Sequence, residues 1–369
     1  MISINRCKIS RFWLCYFFIR LFYLLFTVLV YTRLVEHLGD TVRYLFANVP
    51  FSLMIFYDST YFMDFFGGII GRLFRHNMIL ANFPSMLISF FTVRWAIEKL
   101  SLRKYVNNTL LMIMISFPNF AMWTSIWSKE LFGLVFTAII AVLIINFLNG
   151  NYKIKIIDVF GLYLCMLFNP QFIPFILQGL IFIYMAKNFM NHKPMGQLGL
   201  AFVFLCINIL FLYIIRDMVN MYAGMLHSHF DFYGVSTRDN IFLEENDFFR
   251  HMPRGMLVAF FGPTLAEMIE NPLHAIAGFE SLLKIILFFY LSKYIFIGYL
   301  RNFRVFPIPI LSYVMVFIGI SFVHYPFGIF NPGSAIRYRS RFIFLFIVLL
   351  LYLYGQRHAY YLERKKNHA

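Results

Sequence analysis

Residues 12–31 read FWLCYFFIRLFYLLFTVLVY, twenty residues with a single charge, Arg20. About 20 apolar residues in a helix cross the hydrocarbon of a bilayer. No small-residue cleavage site follows, so the stretch reads as a first membrane span and not as a removed signal peptide. Arg20 is placed near the cytoplasmic end of that span, where a long side chain is expected to snorkel to the interface. The rest of the chain has the same character. It is 61% hydrophobic, 21% aromatic and only 13% charged, whereas soluble domains stop near half apolar. The fold class expected is an all-α polytopic membrane protein, one transmembrane domain over residues 1–369.

Apolar length picks out about ten transmembrane helices, near 12–31, 78–97, 109–127, 131–148, 156–169, 171–186, 198–215, 274–299, 306–325 and 342–355. The net charge of +15, from 32 basic and 17 acidic residues, would point a soluble protein towards nucleic acid. In a membrane protein it must first be divided between two faces, and no nucleic-acid partner is expected. With the N-terminus cytoplasmic, ten of the twelve lysines fall in inner segments; Lys129 lies in an outer loop and Lys284 within a span. The excess of cytoplasmic basic residues places both termini in the cytoplasm. Acidic residues do the reverse, with 14 of 17 on or near the outer face and only Glu98, Asp158 and Glu363 inside. Arginine departs from lysine: eleven are outside and eight inside. Its planar fork binds phosphate with two hydrogen bonds, which lysine cannot do.

Three outer elements are long enough to carry chemistry: 32–77, 216–273 and 326–341. The first holds apolar runs broken by Asp58, Asp64, Arg72 and Arg75, the pattern of interfacial helices. The third reads NPGSAIRYRSRF from Asn331 to Phe342 and sets Arg337, Arg339 and Arg341 at alternate positions. Pro332 and Gly333 favour an extended entry, in which the three guanidiniums would face one way and suit a phosphate or diphosphate headgroup; headgroup anchoring is the plainer alternative. Asp58, among the aromatic residues of IFYDSTYF, is the candidate general base, with burial expected to raise its pKa. Tyr57, Tyr61 and Asp64 are candidate substrate contacts, as is Arg216 at the opening of the second element. His229 in HSHFD is the alternative base. His227, His229 and Asp231 would share a face if extended, but one loop without partners is a weak metal pattern. No metal or other cofactor is expected. The four cysteines form neither a disulfide framework nor a zinc pattern. In SKE at 128–130, Lys129 and Glu130 form either an ion pair or a phosphate-holding group. Gly67 and Gly71 make a lone GxxxG, discounted as a packing signal.

Deeply buried ionisable residues and paired helix breaks would mark a transporter or a lipid-linked oligosaccharide flippase. Only Arg20, Asp158 and Lys284 come close, each near a span end, and no paired breaks are evident.

Three pieces, about 35 residues together, carry a resemblance. The aspartate-bearing aromatic loop after the first span resembles the first external loop of GT-C glycosyltransferases. FPNFAMWTSIWSKE and GSAIRYRSRF are similar to stretches of O-antigen and exopolysaccharide polymerases of the Wzy type. The arginine–ten residues–glycine spacing of some such polymerases is absent here. The resemblance implies an enzyme of a bacterial cytoplasmic (inner) membrane, active on its periplasmic face. Its donor and acceptor would be glycans on polyprenyl phosphate or diphosphate, with membrane lipid and a chain-length regulator as further partners. Asp58 would match the catalytic carboxylate, and Arg337, Arg339 and Arg341 the donor-phosphate contacts. A repeat-unit polymerase, and a GT-C enzyme adding one sugar, both fit. The sugars and the linkage are not legible.

Overall fold

The computed structural model describes residues 10–35, 38–190, 193–233, 238–301 and 307–366, and these form helices joined by turns, with no strand among them. Among the described residues seven helices are long and apolar enough to cross a membrane: Arg11–Leu34, Met78–Lys99, Lys129–Leu148, Pro170–Phe189, Pro194–Ile214, His274–Gly298 and Pro307–Ile329. The protein is thus an α-helical polytopic membrane protein. Two more of the expected ten, Ile156–Phe168 and Ile343–His358, are apolar but shorter. The remaining one, near 109–127, is a correction: it is not a continuous helix. Asn108–Ile115 ends at Ser116, and a half-helix, Pro118–Trp123, starts again one residue later. The cause is local. Proline fits the first helical position but forces the residue before it out of the helical region, and Phe117 has φ −53° and ψ 128°.

Lys129–Leu148 is apolar on every side, as expected of a helix enclosed by others. It is 83% buried, packed by Met78–Lys99, Ile156–Phe168, Ile173–Phe189 and Ile343–Lys366. Pro194–Ile214 is the opposite case, 6% buried, and its apolar side chains face outward, as lipid allows.

Contacts group several of the helix ends into two sets. At one end Trp13 donates to Glu98 Oε1 at 2.5 Å, Arg103 pairs with Glu98 at 3.2 Å, and the Tyr352 hydroxyl meets Asn149 at 2.6 Å. At the other end four helices start on polar caps: Asp58 on Thr60 and Tyr61, Asn77 on Ile79 and Leu80, Ser128 on Leu131, and Asn331 on Ser334. Each cap satisfies backbone N–H groups that the first turn leaves without partners. The first outer element folds back on itself there. Ser59–Leu73 packs on Thr41–Phe46, and Cβ atoms at Gly67 and Gly71 would collide with the Tyr44 and Leu45 carbonyls. Gly67 and Gly71, set aside on sequence grounds, are therefore the contact surface between these two short helices.

Candidate functional site

The arginine segment is helical, which corrects the extended row expected from sequence. Pro332–Tyr338 is an α-helix and Arg339–Arg341 a 3-10 turn. On a helix, residues four apart share a face and the residue midway between them does not. Arg337 and Arg341 accordingly converge, and Arg339 points away from them.

Their common target is Glu130, which is fully buried. Its Oε1 accepts from Arg337 Nε at 3.1 Å, Arg341 Nε at 3.3 Å and Arg341 Nη2 at 3.1 Å. Arg337 Nη2 also reaches Asp40 Oδ2 at 3.3 Å, and Asp40 lies 4.0 Å from Arg43, itself 3.7 Å from Asp64. One chain of opposite charges, Asp64–Arg43–Asp40–Arg337–Glu130–Arg341, thus ties the first outer element to the third through the start of the central helix. Tertiary folding closes it at two small residues. Gly39, at φ +53°, leaves no room for a Cβ against the Arg337 guanidinium, and a Cβ at Gly133 would be 2.6 Å from that of Arg341. Burial alone would lower the Arg337 pKa, but Glu130, Tyr338 and Asp40 outweigh it, and the net effect is upward. The Asp64 carboxyl moves up because burial penalises its charged form more than Arg43 favours it. The arginine side chains stay partly open, 15% exposed at Arg337 and 12% at Arg341. Among the described residues neither Nη1 has a hydrogen-bond partner.

Lys129 and Glu130 do not pair with each other. The Lys129 ammonium instead donates to Ser59 Oγ at 3.0 Å and Thr60 Oγ1 at 2.8 Å, and no carboxylate of the described residues lies within ion-pair distance of it. Asp58 stands on the same turn. It is exposed, and its Oδ1 caps the helix by accepting from Thr60 N at 2.7 Å and Tyr61 N at 3.0 Å. The enclosing aromatic pocket expected around Asp58 is not found: Tyr57 is 69% exposed and the Tyr61 hydroxyl is held by the Pro50 carbonyl at 2.7 Å.

The second outer element does not join this cluster in the way expected. Arg216 pairs with its neighbour Asp217 at 3.3 Å and stacks on Tyr213. HSHFD lies within the helix Arg216–Tyr233, not in an extended loop; His227 Nε2 contacts the Arg238 carbonyl at 3.2 Å and Asp231 is exposed. The side chain of His229 falls outside the described residues. Among those residues no group of three or more His, Cys, Asp or Glu side chains is placed to hold a metal. What the second element contributes is a clamp. Arg238 forks onto Glu267 at 2.5 and 2.8 Å and donates to the Gly328 and Ile329 carbonyls at 3.1 and 2.7 Å, just before the arginine helix.

Inside the bundle the structure corrects the expectation of few deep ionisable groups. Arg20 does not snorkel; it is fully buried, bonded to Ser89 and to Thr124 at 2.8 Å. Glu280, which sequence reading left out, is 4% exposed; it pairs with Lys284 at 2.6 Å and accepts from the backbone and side-chain nitrogens of Asn119 at 2.6 and 2.7 Å. Arg339 donates through Nη1 to the Phe260 and Gly262 carbonyls at 2.9 and 2.7 Å. Burial lowers its pKa to about 10, which still leaves it charged at neutral pH. These side chains surround the half-helix Pro118–Trp123, against which the first helix, the Pro272–Arg301 helix and the arginine segment all pack.

Asp40, Arg43, Glu280 and Arg339's separate environment were missed from sequence. Glu280 and Lys284 did leave a signal, since opposite charges four apart on an apolar helix mark one buried face. Asp40 and Arg43 left none that separates them from solvated loop charges. Against this geometry, no family model, curated protein or solved structure matches the chain.

Proposed function

We propose that the protein is a membrane glycan-assembly enzyme that joins polyprenyl-(di)phosphate-linked saccharides at the outer face of a bacterial cytoplasmic membrane, most simply as a repeat-unit polymerase. The observation that carries the reading is the meeting of Arg337, Arg341 and Lys129 at one end of the bundle, on elements distant in sequence. Two of these cations keep unbonded guanidinium donors, and the third is bonded to hydroxyls alone. Such a group of preset donors stabilises a departing diphosphate without protonating it. Asp58, which caps the turn whose Ser59 and Thr60 hydroxyls hold Lys129, takes the proton of the attacking sugar hydroxyl through its second carboxylate oxygen. A single-sugar transferase would use the same groups.

The test is replacement of Arg337 and Arg341, singly, by lysine and alanine in the native host. Long surface polysaccharide should be lost while protein level is kept, leaving lipid-linked material with one repeat. Normal chain length in all four variants counts decisively against the phosphate role. A second reading, transport or flipping of the lipid-linked glycan, is favoured by one specific pair of observations: the broken helix at 116–117 and the fully buried Arg20 beside it. It predicts that the same variants accumulate complete carrier-linked units on the cytoplasmic leaflet.

A further inference from the structure

Arg339 presents an unusual combination. It is 1% exposed, and its Nη1 is fixed by two carbonyls at the end of the Met252–Phe261 helix, yet Nε and Nη2 have no partner. Those two nitrogens form one edge of the guanidinium, the edge that fits a phosphate or carboxylate with two parallel hydrogen bonds. The carbonyl contacts therefore aim an empty fork in a set direction. A second cation stands near: the Gly262 carbonyl that holds Arg339 also accepts from Ser281 Oγ at 2.9 Å, and Lys284 lies on the next turn of the same helix. Lys284 already shares its charge with Glu280, so the pair is neutral and the Arg339 charge is left over. His324 Nε2, buried and without a partner, lies on the helix that carries the Phe342 contact at 4.7 Å, and Phe342 N bonds the Arg339 carbonyl at 3.2 Å. A buried donor pair left empty costs the full desolvation of its N–H groups, and an uncompensated charge costs more.

We propose that the Nε/Nη2 edge of Arg339, with Lys284 beside it, is a second oxyanion site, deeper than the Arg337–Glu130–Arg341 cluster and separate from it, which takes a phosphate group. The inference deepens the glycan-carrier reading above by assigning a second phosphate of donor or acceptor to the bundle interior.

The experiment uses the full chain purified in detergent and follows its melting midpoint with two probes, inorganic phosphate and dodecyl phosphate. A saturable rise is expected, with dodecyl phosphate alone effective if the source is a lipid headgroup and both effective if it is the free ion. Arg339→Lys keeps the charge but loses the fork, and should raise the half-saturating concentration on the order of tenfold or more, the loss of one charge-assisted hydrogen bond. Lys284→Gln is the second variant should the first not fold, and a several-fold rise is expected there too. Arg103→Lys, at the Glu98 pair on the opposite end of the bundle, serves as the control and should leave this response within about twofold. No response of the wild type to either probe overturns the proposal, as does an unchanged half-saturation in Arg339→Lys or Lys284→Gln. A response abolished by Arg337→Lys but not by Arg339→Lys overturns it while leaving the glycan-assembly reading intact.

Discussion

Replacing Glu130 by glutamine removes one charge and almost no volume, at the point where two arginines meet. In the native protein Oε1 accepts three N–H bonds from Arg337 and Arg341, and the residue is fully buried. Breaking a buried pair by removing one partner costs about 3–5 kcal/mol. The lower end applies, because both arginines are 12–15% exposed and Arg337 keeps Asp40 at 3.3 Å. Arg341 keeps no carboxylate among the described residues. Glu130→Gln should therefore cost about 3 kcal/mol, and most of that should be recovered when Arg341→Gln is added, since the stranded charge is then gone. Unfolding in mixed micelles at increasing dodecyl sulfate fraction, followed by tryptophan fluorescence, gives the four stabilities of the cycle. The expected coupling is about 1.5–3 kcal/mol, the range for hydrogen bonds to charged groups. If the two substitutions add within about 0.5 kcal/mol, as independent sites do, the two side chains do not share an interaction and Glu130 does not join Arg337 and Arg341 in one network.

Asp58 separates capping from chemistry: Asp58→Ala should lose about 1 kcal/mol of stability through the cap, whereas Asp58→Asn, which keeps the accepting oxygen, should unfold like the wild type and yet fail to elongate glycan. Equal glycan in Asp58→Asn and wild type would remove Asp58 from the proposed mechanism. Gly39→Ala puts a side chain at φ +53° into the Arg337 guanidinium, so it should destabilise by more than about 1 kcal/mol and reproduce the glycan defect of Arg337→Ala; a neutral result in chemical denaturation would contradict the close approach. Asp64 gives the pH dependence. Its folded pKa lies above the unfolded one, so the unfolded chain loses its proton first and the penalty on folding grows as pH rises through that window. Asp64→Asn should consequently be more stable than wild type at neutral pH, with the gain disappearing below the ordinary carboxylate range; a gain that persists in acid contradicts the burial argument.

Membrane class and the positions of the long apolar helices were legible in the sequence because each depends on a local quantity, whereas the break at Ser116–Phe117 was not. Twenty apolar residues are a span wherever they occur, and Phe12–Tyr31 needs no partner to be read. Side-chain direction is another matter. Arg337, Arg339 and Arg341 could be read as one row only while their backbone was taken as extended, and Asn331 capping Ser334 makes it helical. That single change sends two arginines to Glu130 and the third to the Phe260 and Gly262 carbonyls. Glu130 and Lys129, adjacent in sequence, face different partners for the same reason, since neighbours on a helix diverge by 100°. Arg20 had looked like a residue free to reach the interface, until Ser89 and Thr124, 69 and 104 positions away, were folded against it. Composition thus determines the membrane class of the chain and where its long apolar helices lie. Which charges meet is decided by tertiary packing, because a carboxylate's partner is set by helix rotation and by glycine-sized gaps such as Gly39 and Gly133, neither of which is written locally in the chain.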